Sequence, residues 1–127
     1  MATHNDLGQW GEQKAVELLE AKGYRIMERD WHCGHRDIDI VAMDCDELVF
    51  VEVKTRNGNL LVAPELAVNR EKMQSLSKAA NAFVKTKRIG LPMRFDIISI
   101  IKTDNGEYEI KHIENAFLPI PYYTHGR

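Results

Sequence analysis

RDIDIVAMDCDELVFVEVK, residues 36–54, reads as two strands and the turn between them. Arg36 to Met43 and Leu48 to Thr55 both alternate, and Asp44-Cys45-Asp46-Glu47 supplies turn residues between them. A period of two puts Asp37 and Asp39 on one face of the first strand, with Ile38, Ile40 and Ala42 on the other. In the second strand Leu48, Phe50, Glu52 and Lys54 share a face and Val49, Val51 and Val53 oppose it. A hairpin centred between Cys45 and Asp46 sets Asp39 against Glu52 and Asp37 against Lys54. Like charges directly opposed across an antiparallel pair repel, so something must offset Asp39 beside Glu52.

Outward from this hairpin the chain reads as helix, three strands, helix, two strands. Asp6 is a fitting N-cap for a helix from Leu7 to Lys22, which Gly23 ends. Leu7, Gly8, Gly11, Ala15, Leu18 and Leu19 share one side of it, and the glycines let the helix approach a sheet closely. Tyr24 to Trp31 forms the first strand, with a short loop through Cys33 and Gly34 after it. Residues 57–64 begin and end in loop residues. Asn69 caps a second helix carrying Met73, Leu76, Ala80 and Phe83 at core spacing, closed by Gly90 and Pro92. Met93 to Lys102 and Tyr108 to Ile113 complete an α/β fold of five strands and two helices. One domain, over residues 1–117, follows from the 127-residue length and 44% hydrophobic content, and residues 118–127, which carry no usable period, read as a C-terminal tail.

No apolar run is long enough to span a bilayer, and MATHNDLGQW lacks the features of an export signal, which predicts a cytoplasmic protein away from membranes. Cys33 and Cys45 are then expected as reduced thiols. A formal charge of −2 argues against a broad basic surface for duplex DNA. Setting aside Glu12, Asp37, Asp39 and Glu52 turns that −2 into +2, with local basic clusters at Arg70 and Lys72 and at Lys85, Lys87 and Arg88.

A hard divalent cation is a natural answer to the opposed acids, because Mg²⁺ takes oxygen ligands and commonly uses one or two carboxylates with water and phosphate oxygens. Glu12 stands at the edge of the first helix's packed stripe and needs a partner there. Phosphodiester hydrolysis requires an activated water and neutralisation of the charge building on phosphate. Asp39 and Glu52 are the expected metal ligands, with Glu12 and Asp37 giving direct or water-mediated support. Lys54 is expected to position water or stabilise transition-state charge. Lys72 and Arg56 are candidate phosphate contacts. The spacing of His32, Cys33, His35 and Cys45 matches no standard zinc pattern. Trp10, Trp31 and Phe83 read as packing residues, and Asp96 as a strand-end partner for Arg94.

Asp39 followed by Glu52-Val53-Lys54 resembles the D…(D/E)xK core of restriction-endonuclease-like nucleases. Gln9-Trp10-Gly11-Glu12-Gln13-Lys14-Ala15-Val16, Arg36 to Ala42, Phe50 to Arg56, Lys72 and Arg94-Phe95-Asp96 look like the small bacterial UPF0102, or YraN-like, family over residues 5–117. That family is related to archaeal Holliday-junction resolvases. The resemblance implies a restriction-endonuclease-like fold with a central mixed sheet flanked by helices, Mg²⁺ or Mn²⁺ at the acidic site, and DNA, branched or damaged, as substrate. Arg36-Asp37 stands where the family usually has Gly-Glu, so the supporting carboxylate is one methylene shorter. The expected function is a metal-dependent endonuclease. The alternative is a nucleic-acid-binding or scaffolding module of the same fold without turnover. Cutting two strands in the manner of a resolvase calls for a symmetric homodimer.

Overall fold

The computed structural model describes residues 4–58, 69–103 and 105–119. Within them the order is α1 (His4–Ala21), β1 (Arg25–Cys33), β2 (Arg36–Asp44), β3 (Glu47–Asn57), α2 (Arg70–Lys87), β4 (Met93–Lys102) and β5 (Tyr108–Phe117). The strands form one sheet in sequence order. Only β3 and β4, the pair joined through α2, run parallel; the other neighbours are antiparallel. This is the element order that the hydrophobic periods imply and the mixed sheet that the family resemblance implies. Most of the 57–64 loop and the tail beyond Pro119 lie outside the described residues.

Several boundaries differ for local reasons. The first helix starts at His4, so Asp6 lies inside the first turn, where a carboxylate favours the helix N-terminus through its charge rather than as a cap. Gly23 does end α1, at φ +92°, with its N–H donating to the Glu20 carbonyl and that of Tyr24 to Leu19. Asn69 caps α2 by accepting the Lys72 N–H at 2.8 Å. That helix closes at Arg88, ahead of Gly90 and Pro92, because Arg88 itself takes the left-handed conformation at φ 57°. Between β1 and β2 only Gly34 and His35 separate the paired Cys33 and Arg36, so the loop is a tight hairpin.

Each face of the sheet buries a cluster under one helix. Ala15, Val16 and Leu19 of α1 pack on Ile40, Val49, Val51 and Ile98. Leu76, Ala80 and Phe83 of α2 pack on Val41, Leu48, Phe50 and Phe95. Trp31 meets Phe83 edge-on at 5.1 Å, the packing role expected of both.

Gly11 sets how closely α1 approaches β3. A Cβ there would lie 1.9 Å from Thr55 Oγ1 and 2.9 Å from Thr55 Cβ, whereas one at Gly8 would meet nothing within 4 Å. Gly11→Ala is therefore expected to cost about 1–3 kcal/mol through overpacking. Thr55→Gly in the same chain should recover much of that loss in a thermal melt. Failure of the second change to help would mean that the contact does not govern the approach.

Candidate active site

The β2–β3 ladder runs from Asp44 against Glu47 to Ile40 against Val51, the register expected from the sequence. Beyond Ile40 it ends, so the expected cross-strand pairs of Asp39 with Glu52 and Asp37 with Lys54 are not formed. Lys54 instead pairs with Glu52 and Asp37 with Lys72, while β3 stays paired to β4 as far as Asn57 against Lys102. At the parting point the Asp39 side chain replaces the missing backbone partner, its Oδ2 accepting the Val53 N–H at 2.8 Å. Alternation also breaks here. Ile38 packs with the α2-side cluster, whereas Ile40 and Ala42 belong to the α1 side, so the three do not share a face as expected. The β1 residue lying between the partners of Ile40 and Ile38 is Asp30, in a left-handed conformation at φ 51°. The pleat need not remain regular where β1 is distorted and β3 no longer pairs.

Glu52 is only 4% exposed, and its Oε2 lies 3.3 Å from Lys54 Nζ and 3.7 Å from Lys72 Nζ. Lys72 also stands 3.9 Å from Asp37, which is more exposed. Burial and then the neighbouring Glu52 charge push the Asp39 carboxyl up to about 7; the Val53 N–H opposes this, Asp37 adds to it, and Lys72 opposes it. Repulsion between the two acids is thus offset in part by lysines and in part by a readily held proton.

Glu12, Asp39, Lys54 and Arg56 line one cleft of about 450 Å³ between α1 and the parted strands. Glu12 is held there by Arg29, whose Nε lies 3.2 Å from its Oε1. A second cleft of about 610 Å³, on the α2 side, is lined by Arg36, Lys54, Asn69, Lys72 and Gln74. Lys54 borders both. Glu12 and Asp39 therefore meet on one side, and Glu52, Asp37 and Lys72 are linked by ion pairs on the other. Lys72 reaches the acids themselves, closer to the centre than a peripheral phosphate contact.

The match to family models accords with this arrangement. The model described as uncharacterised protein family UPF0102 matches residues 11–100, from the Gly11 contact through both parted strands to β4. The chain belongs to the UPF0102 family. A UPF0102 protein of Bacteroides thetaiotaomicron is 49% identical over 119 residues, 94% of this chain and 98% of the relative. One from Parabacteroides distasonis is 44% identical over 117 residues, covering 92% and 96%, and one from Porphyromonas gingivalis is 46% identical over 118, covering 92% and 87%.

In this UPF0102 protein the donor set suits a hard cation. Asp39 and Glu52 offer carboxylate oxygens, and the upward shift of Asp39 marks a place where added positive charge would be stabilising. Asp30, His32 and Asp37 also converge, with one ligand atom from each within 4.8 Å of the others, while His32 pairs with Asp30 at 3.2 Å. Reading Gly34-His35 as a two-residue turn would have revealed the pairing of His32 with Asp37, but no sequence period connects Arg29 to Glu12.

The other unforeseen feature is a buried polar network. Arg94 holds Asp96 through two hydrogen bonds at 2.9 and 3.0 Å, and also binds Asp44, Glu47 and the Tyr24 hydroxyl. Asp96 further contacts His112 Nε2 at 2.7 Å and accepts the Asn115 N–H. It is the centre of this network, not the simple strand-end partner expected. Burial raises the Asp96 pKa, but bonds from His112, Arg94 and Asn115, with the Arg94 charge, outweigh it and hold the carboxyl below its ordinary value. Burial pushes the Tyr24 hydroxyl up to about 12 despite its bond from Arg94. Cys33 and Cys45 are both free and exposed. No described helix is long and apolar enough to cross a membrane.

Proposed function

We propose that this protein is a metal-dependent endonuclease that hydrolyses phosphodiester bonds in DNA. One observation carries the reading: where β2 and β3 part, the buried Asp39 carboxyl feels the charge of Glu52, and Lys54 lies 3.3 Å from Glu52. Asp39 and Glu52 would hold Mg²⁺ or Mn²⁺, with Glu12 and Asp37 in support. Such an ion supplies Lewis-acid activation of water and charge neutralisation at phosphate. Lys54 places a cation beside the ligands to stabilise charge developing on the phosphoryl oxygens. Arg56 in one cleft can bind a flanking phosphate, while Lys72, lining the other cleft next to Glu52, can contact the phosphate held at the acids. A module that only binds nucleic acid gains nothing from a buried pair of repelling acids.

Cleavage of single-stranded, duplex, flap and four-way-junction DNA with Mg²⁺ or Mn²⁺, and with chelator, tests this reading. Metal-dependent strand scission is expected, and preference for a junction would favour a symmetric dimer acting on two strands. Well-folded protein that cuts none of the four with either ion would favour the binding module.

A further inference from the structure

We propose that Trp10 and Tyr108, with Lys14 and Lys102, form a subsite that holds a single-stranded DNA arm leading from the cleft. This rests on the endonuclease reading and specifies a part of the substrate. Trp10 packs partly buried against the α1-side cluster, as expected of it, and backs the Tyr108 ring edge-on at 5.2 Å, while Tyr108 is 41% exposed. Lys102 Nζ lies 4.9 Å from the Trp10 centroid, while Lys14 Nζ lies 5.6 Å from that of Tyr108. Lys14 is partly neutralised by Glu17 at 3.5 Å. Among the described residues no carboxylate forms an ion pair with Lys102 or Arg56.

The register connects this patch to the cleft. Arg56 lines the same cleft as Asp39, and Asn57, the next residue, pairs with Lys102, which pairs with Tyr108. Two strand spacings, roughly 10 Å, therefore separate the end of β3 from the Tyr108 position. On α1, Gln9 and Glu12 line the cleft while Trp10, between them in sequence, contacts Tyr108. Aromatic faces among cations suit unpaired bases linked by phosphates, because stacking tolerates any base and the lysines neutralise the backbone. A blunt duplex keeps its bases stacked on one another and cannot offer them to these rings.

The test is anisotropy of end-labelled oligothymidylate and blunt duplex in chelator, with the full chain, Tyr108→Ala and Lys102→Gln, each confirmed as folded by melting. Tyr108→Ala should weaken oligothymidylate binding by about five- to a hundredfold. Lys102→Gln should reduce the salt dependence by about 0.7 in logarithmic slope. Duplex affinity should not change in either. Oligothymidylate affinity that both variants leave intact, or an equal loss on duplex, would overturn the subsite. So would tighter binding of oligouridylate, or equal binding of polyglutamate. Duplex cleavage is scored separately, so loss of the subsite with cutting intact rejects only this inference, and stacking-dependent binding without cutting rejects only the nuclease.

Discussion

Asp39→Asn should melt roughly 5–10 °C higher than the wild type at pH 8 without metal, although it removes a proposed ligand. The folded carboxyl titrates at about 7 against an ordinary 3.8, so the folded state holds this proton more tightly than the unfolded chain. Stability from the protonated form is complete below 3.8, falls as pH rises, and is lost by the time pH has passed about 7. The ionised form then costs on the order of a few kcal/mol. Asparagine keeps an oxygen for the Val53 N–H and carries no charge. Its advantage should therefore appear at pH 8 and vanish near pH 4. Adding Mn²⁺ should reverse the order, raising the wild-type melting temperature and leaving the variant unmoved. A variant that melts lower than wild type at pH 8 would mean that the ionised pair is not under strain.

Arg94→Met should be the most destabilising single change at any buried polar position, costing about 3–5 kcal/mol. It removes the charge that compensates Asp96, whose side chain has no exposure, and frees Asp44 and Glu47 on the same guanidinium. Combining it with Asp96→Asn should recover part of the loss, because the uncompensated buried charge disappears. The lowered Asp96 pKa also sets the pH behaviour: its stabilisation is present above the ordinary 3.8 and is lost as pH falls through the lower folded value. Urea unfolding measures all three chains. A cost below about 1 kcal/mol would place the network among weak surface pairs.

The hairpin at residues 36–54 was legible because its alternation, turn and apolar content agree, and the observed register follows from them. The two helices were legible from their periods and from the Asn69 cap and the Gly23 stop. The same register brings Asp39 and Glu52 to the parting point, although the ladder stops one pair short of setting them directly opposite. The break at Asp39 was not legible, since alternation assumes a continuous ladder and the sequence does not encode where β2 leaves β3. Nor was the joining of Glu12 to Arg29, of Arg94 to Tyr24 or of Asp96 to His112, because each depends on which elements become neighbours in space. Two carboxylates that the sequence places on a strand face or at a strand end also replace backbone partners: Asp39 for Val53, and Asp96 for Asn115 at the β4–β5 irregularity.

The most direct test of the proposed chemistry compares wild type, Asp39→Asn and Lys54→Ala for Mn²⁺-dependent cleavage of the best of the four DNA forms. Wild type is expected to cut, with each folded variant reduced by at least about a hundredfold, the scale of losing a charge-stabilising group. Cutting that survives in folded Asp39→Asn at the wild-type rate would contradict this chemistry and place the active carboxylates elsewhere.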